Sequence, residues 1–73
     1  MRQEKEYQMI GAQALFRRAL SLVGKTVEVG TRRDAKTSQG TIGNAMFDSF
    51  ILQTAAGPRV ILYADVVFLT ESV

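Results

Sequence analysis

The side chains that could do chemistry in this 73-residue chain are basic and acidic groups, because the sequence has no Cys and no His. The thiol nucleophile, the commonest general base at neutral pH and the usual zinc ligands are therefore missing. Catalysis would have to rest on seven carboxylates, nine basic residues and some hydroxyls, none of them at the spacing of a catalytic or metal-binding motif. We expect a protein that is not an enzyme and has no metal or other cofactor.

The basic side chains are concentrated in the first half of the chain. Residues 1–36 contain eight of the nine basic residues and four acids, whereas residues 37–73 contain one basic residue and three acids. If the fold gathers the basic residues on one face, that face attracts polyanions. The alternative is an ordinary solvated surface of mixed charge.

A helix near the N-terminus must carry part of this charge. Apolar residues from Ala12 to Val23 fall on one half of a helical wheel, and Gly24 follows where a helix C-cap favours glycine. The pattern predicts a helix over residues 11–23. Residues 1–10 are either a leader or the beginning of that helix.

After the helix the apolar residues alternate with a period of two, which is typical of strands. Two glycines in the second strand, Gly40 and Gly43, indicate a bulge, a bend or a close backbone approach. The fold class is therefore predicted as mainly β: an N-terminal α-helix followed by a five-stranded, strongly bent antiparallel sheet or small barrel, in a single domain, 1–73. The strands are predicted at 26–31, 39–45, 47–54, 59–63 and 66–70, with a hairpin loop at 32–38, a turn at 55–58 and the whole sheet or barrel within 25–71.

The last two predicted strands, 59–63 and 66–70, are apolar on both faces. A domain of this size buries only about 60% of its extended-chain surface, so a monomer covers such strands poorly. Exposed apolar edges of this kind normally pair with another strand. We expect a homo-oligomer in which these two strands pair between subunits.

Two short motifs resemble the Sm-like (Sm/LSm) family and, within it, the bacterial Hfq-like RNA chaperones. Gln39-Gly40-x-Ile42 and Phe47-Asp48-x-Phe50 match the first family motif in type and order, and the interval from Phe50 to Tyr63 has no gap relative to that branch. The resemblance covers roughly residues 12–71. It implies an Sm-like, SH3-like barrel that forms a ring of six or seven subunits and binds single-stranded RNA.

The resemblance also implies which residues contact RNA. Phe50, Tyr63 and Asp65 fall at positions that line the pore of the ring. Arg17, Arg18 and Phe47 look like the arginine-plus-phenylalanine patch on its rim. Aromatic rings at such positions stack on bases, and the arginine fork donates two parallel hydrogen bonds to phosphate.

The chain departs from the family after Tyr63, where Ala64 and Asp65 replace the Lys and His of Hfq-like pores. A ring would then place carboxylates where the family places cations, and these carboxylates would repel phosphate. The alternative function is an Sm-like barrel that acts as a structural or protein-interaction oligomer without RNA affinity.

Simpler roles stand beside each of these assignments. Phe50 and Phe47 could belong to the core or to a subunit interface, and Asp65 could be a turn residue. The basic hairpin tip, formed by Arg32, Arg33 and Lys36, is either a solvated loop or a clamp on RNA. No apolar run is long enough for a membrane span and the first residues do not form a signal peptide, so the expected location is the cytoplasm.

Overall fold

The computed structural model describes the backbone of residues 4–72 and the side chains of residues 13–72. These residues form one helix and five strands, with a single 3-10 turn at Tyr63–Asp65 between the last two strands. The elements are α1 (Glu4–Ser21), β1 (Thr26–Thr31), β2 (Ser38–Ala45), β3 (Ser49–Thr54), β4 (Gly57–Leu62) and β5 (Val66–Glu71).

The five strands form one sheet in the order β4-β3-β2-β1-β5, with every neighbouring pair antiparallel. The predicted helix and five-stranded antiparallel sheet are therefore confirmed. The sheet is open, because β4 and β5 are its two opposite edges and do not pair with each other. Only the three residues of the 3-10 turn join these edges, so the sheet must curve until they approach each other at one end. Closure into a barrel stays a prediction.

The ends of the elements differ from the predicted ones for local reasons. The helix begins at Glu4, so residues 4–10 form its beginning, which is one of the two alternatives given for residues 1–10, and it ends at Ser21, before the predicted residue 23. It ends there because the amide of Leu22 is shared between the carbonyls of Arg18 and Ala19, which tightens the last turn. Within residues 4–72, no helix combines the length and the apolar character that crossing a membrane requires.

Several strand boundaries also differ from the predicted ones. β2 begins at Ser38 and β5 ends at Glu71, each one residue longer than predicted. β3 begins at Ser49 and not at residue 47, because the amide of Met46 donates to the carbonyl of Ser49 and closes a turn through Phe47 and Asp48. β4 begins at Gly57 and includes Pro58, and Tyr63 belongs to the 3-10 turn.

The core lies between the helix and the concave side of the sheet. Ala19, in the helix, and Leu22, directly after it, belong to the core. Leu15 and Phe16, which are partly buried helix residues, pack against the same cluster. The largest side chains with no significant exposure all come from the strands: Phe50, Ile42, Leu52, Val27 and Val29.

Close backbone approach explains one glycine of β2. A Cβ on Gly40 would lie 2.2 Å from the backbone oxygen of Gln53, so no other residue fits there without moving β3. A register shift between Ile42 and Asn44 marks a β-bulge at Gly43, the other glycine of β2. Bulge and close approach together let the sheet bend over the core.

Candidate nucleic-acid interface

Phe50 and Tyr63 lie in the core of the described chain. Phe50 is 0% exposed and Tyr63 is 3% exposed, and their rings stack with centroids 5.8 Å apart. The phenol of Tyr63 donates a hydrogen bond of 2.5 Å to the carbonyl of Met46. Burial raises the pKa of the Tyr63 phenol, and the charge of Asp48 raises it further. In a single copy of the chain, neither ring offers a free face on which a base could stack.

Tyr63 instead holds together the elements that present Phe47. Its ring lies 6.4 Å from the ring of Phe16 on the helix, and its hydroxyl binds Met46 in the loop between β2 and β3. Phe47 follows Met46 directly and is 78% exposed. A large aromatic side chain this exposed, on a loop fixed at both ends, is available for a planar ligand.

Arg17 and Arg18 are both exposed at the end of the helix, but they have different surroundings. Arg18 donates from Nε to the carbonyl of Leu69 on β5, at 3.1 Å. Arg17 has no carboxylate within 4.0 Å among residues 13–72. The hydrogen bonds, ion pairs and ring contacts of that part of the chain do not join Phe47 to either arginine.

Asp65 has a cationic partner that the sequence analysis did not assign to it. Its Oδ2 lies 3.1 Å from Nε of Arg33, and its backbone oxygen accepts a hydrogen bond from the amide of Arg32 at 2.9 Å. The carboxylate is largely covered, since the Asp65 side chain is 21% exposed. A paired guanidinium cancels most of the repulsion that a bare carboxylate exerts on phosphate.

A second ion pair fixes the same hairpin to β4. Arg59 pairs with Asp34 and also donates to the hydroxyl of Ser38. The hydrogen bond and the charge of Arg59 hold the pKa of Asp34 below its ordinary value. Between this hairpin, β4 and the 3-10 turn lies a cleft of about 220 Å³, lined by Thr31, Arg33, Arg59, Val60, Ile61, Leu62 and Asp65.

This end of the molecule is cationic. Arg32 and Lys36 are exposed, and within residues 13–72 no carboxylate lies within 4.0 Å of either. Sequence reasoning found the hairpin cluster but missed Arg59, which stands alone in the acidic half of the chain. The hairpin and its surroundings have four cationic side chains and three carboxylates: Arg32, Arg33, Lys36 and Arg59 against Asp34, Asp65 and Glu28, the last of which accepts a hydrogen bond from Thr37.

The outer edge of β4 has free backbone groups beside apolar side chains. The amide of Tyr63 donates to the carbonyl of Asp48, which fixes the alternation of bonded positions along β3 and β4. That alternation directs the N–H and C=O groups of Val60 and Leu62 outward, where their side chains are 64% and 42% exposed. Pro58 lies at another position whose backbone faces outward. The β3–β4 ladder therefore needs no hydrogen bond from this residue, and a proline, which has no N–H, fits there.

The outer edge of β5 is similar. The amide of Ser72 donates to the carbonyl of Thr26 at 2.8 Å, and Leu69 lies opposite Val29 in the same register. Bonded and non-bonded pairs alternate along the ladder, so Ser72 is at a bonded position and Leu69, three residues before it, is at a non-bonded one. The N–H and C=O groups of Leu69 therefore face away from β1. The apolar side chains exposed on this strand are Val67 at 65% and Phe68 at 37%.

Comparison with known proteins gives no relative. The chain matches no protein-family model, no curated protein and no solved structure. What the chain does must therefore be argued from its own geometry.

Proposed function

We propose that the chain is an Sm-like subunit that forms a homo-oligomeric ring, and that the ring binds single-stranded RNA in the cytoplasm. The observation that carries the proposal is the placement of β4 and β5 at opposite edges of one sheet. Each edge combines outward backbone groups with exposed apolar side chains, and this combination favours strand addition.

Pairing through these two edges can close into a ring because β4 and β5 are different strands. If β4 of one copy pairs with β5 of the next, the contact is heterologous, and repeating it gives either a closed ring or an open filament. The curvature that brings the two edges of one subunit toward each other favours closure. Pairing would also cover Val60, Leu62, Val67 and Phe68, which a monomer leaves partly exposed.

Two surfaces of the described chain suit RNA. One is the exposed ring of Phe47, which could stack on a base; Arg17, exposed on the last turns of the helix and without a carboxylate within 4.0 Å among residues 13–72, could add a contact to phosphate. The other is the cationic end formed by the hairpin and β4, where Arg33 stands beside Asp65. In a ring this guanidinium would supply the cation that the sequence lacks after Tyr63, which supports the proposed pore position of Asp65. Phe50 and Tyr63 are buried in a single subunit, so in such a pore they would support the wall from the core and would not stack on bases.

The proposal is tested by assembly and binding measurements on one sample. Light scattering gives the mass of the protein, while fluorescently labelled oligouridine and oligoadenine are titrated across a series of salt concentrations. We expect a hexamer or heptamer whose affinity for RNA falls steeply as salt rises, because binding releases counterions from the phosphates. An intact ring that binds neither RNA at low salt would end the RNA part of the proposal, and a monomer at every concentration would end the ring.

A second candidate function is a structural ring without RNA affinity. The observation that favours it is the burial of the Phe50–Tyr63 pair, which removes two aromatic faces from any RNA surface. The same titration separates the two candidates, because the structural ring would assemble normally and leave both labelled RNAs unbound.

A further inference from the structure

The guanidinium of Arg18 lies at the edge of the sheet that the proposed ring would use. The register of β1 and β5 directs the carbonyl of Leu69 away from β1 and toward the free edge. Arg18 donates from Nε to that carbonyl at 3.1 Å, although the two residues are 51 positions apart in the sequence. A charged side chain from the last helical turn therefore occupies a backbone acceptor of the edge strand.

Charged side chains on an edge strand are a common means of preventing edge-to-edge pairing. Arg18 differs from an ordinary surface cation in that it binds the backbone group itself. Its neighbour Arg17 also lies on the helix and is exposed, yet among residues 13–72 no hydrogen bond or ion pair joins its side chain to β5. The contact is thus specific to one of two adjacent arginines.

We propose that Arg18 holds the β5 edge closed and that a second copy of this chain must displace it to assemble. The inference rests on the strand pairing proposed above. The occupant is the β4 edge of that copy, because the outward N–H groups of Val60 and Leu62 require carbonyl acceptors such as that of Leu69. Pro58 has no N–H to offer, so pairing depends on these two donors.

Displacement breaks a hydrogen bond from a charged donor, and this loss weakens assembly. Removing Arg18 removes that cost and frees the acceptor. We expect the concentration at which half of the chains are assembled to fall by about tenfold when the contact is deleted.

The first test is sedimentation velocity over a concentration series without RNA, for wild type, Arg18→Ala and Arg17→Ala. The two variants lose the same charge from the same helix, and alanine keeps the helix intact. Arg18→Ala should assemble at about one tenth of the concentration that Arg17→Ala needs. Equal midpoints for the two variants, or weaker assembly of Arg18→Ala, would overturn the proposal.

The second test detects the hydrogen bond from Arg18 to Leu69 directly, in dilute wild-type protein. Exchange of the arginine Nε–H protons with water, followed by ¹⁵N NMR, should be slower for Arg18 than for Arg17. Equal exchange rates would overturn the proposal whatever the sedimentation result. If wild type and both variants stay monomeric at all concentrations, the strand pairing itself fails; if all three assemble alike, only the role of Arg18 fails.

Discussion

The carboxylate of Asp65 is paired with the guanidinium of Arg33, whose Nε lies 3.1 Å away. Arg33 lies just after β1 and Asp65 lies directly before β5, and these two strands pair with each other, so the ion pair forms only once they have come together. It joins an acid at a proposed pore position to one member of the basic hairpin. Any account of RNA binding must therefore treat the two side chains as one unit.

Arg33→Ala should weaken oligouridine binding by about tenfold, or roughly 1.4 kcal/mol, because it removes a cation and also exposes the carboxylate of Asp65. Arg32→Ala is the matched control, since it removes the same charge from the neighbouring residue without breaking an ion pair. We expect a loss of about threefold for this control. Adding Asp65→Asn to Arg33→Ala should recover most of the difference in a fluorescence titration. Equal losses in the two single variants, or no recovery, would contradict the prediction.

Phe47→Ala should separate RNA binding from stability. Its side chain is 78% exposed, so the free energy of unfolding should change by less than about 0.5 kcal/mol. The affinity for RNA should fall by about 1–3 kcal/mol if the ring stacks on a base. Phe50→Ala, with a fully buried ring, should instead cost about 3–5 kcal/mol of unfolding free energy in urea titrations. Unchanged RNA affinity of Phe47→Ala would exclude Phe47 from the interface.

Stability should fall at alkaline pH because of Tyr63. Its pKa is raised in the folded chain, so above the unfolded value of about 10 the folded state retains a proton that the unfolded state has lost. This contribution is fully present below that pH and is lost as the pH rises through the folded pKa. Urea unfolding between pH 8 and 11 should show a steeper decline for wild type than for Tyr63→Phe.

The same substitution tests the hydrogen bond from Tyr63 to Met46. At neutral pH, Tyr63→Phe should cost about 1 kcal/mol, because the carbonyl of Met46 loses its donor. For the pH prediction above, identical pH profiles of the unfolding free energy in wild type and Tyr63→Phe would be the contradicting result, because the phenol would then ionise as freely in the folded chain as in the unfolded one.

Gly30→Ala and Gly40→Ala should differ in whether they can be rescued. A Cβ on Gly30 would lie 2.2 Å from the ring of Phe68, a side chain on an edge strand, whereas a Cβ on Gly40 would meet the backbone of Gln53. We expect each substitution to cost about 1–3 kcal/mol or more in urea unfolding. Adding Phe68→Leu should restore much of the loss at residue 30 and none of the loss at residue 40. Rescue of both variants, or of neither, would contradict the close approaches described.

The pKa of Asp34 should depend on Arg59. The hydrogen bond and charge of Arg59 lower it, so the stabilisation by this pair is present above the unfolded pKa and is lost as the pH falls through the folded one. An NMR titration of the Asp34 carboxyl should move toward its ordinary value in Arg59→Gln and stay low in Arg33→Gln. An unchanged titration in Arg59→Gln would assign the shift to another group.

The elements could be predicted because they depend on local periodicity. The change from a helical period to a period of two after Gly24 was enough to place one helix and five strands, and the glycines of β2 indicated where the sheet bends. The end of β4 could not be predicted in this way, because it depends on the 3-10 turn that the hydrogen bond from the amide of Val66 to the carbonyl of Tyr63 closes.

The surroundings of the site residues could not be predicted in the same way. Phe50, Ile51 and Leu52 are all apolar, so alternation alone did not show which face carries Phe50 into the core. The pairing of Asp65 with Arg33 joins distant parts of the chain and becomes visible only after folding. The bond from Arg18 ends on a backbone carbonyl, an acceptor that every residue has, so residue types do not indicate it.

The turn Tyr63–Asp65 connects the two strands through which neighbouring subunits would meet. In the proposed ring, each subunit therefore contacts one neighbour through β4 and the other through β5, and only three residues separate these two strands. In such a ring a displacement at one contact would be passed to the other, because the connection between the two strands is this short. Ring formation from such subunits should be cooperative, so that partial arcs are scarce and free chains convert to closed rings over a narrow range of protein concentration.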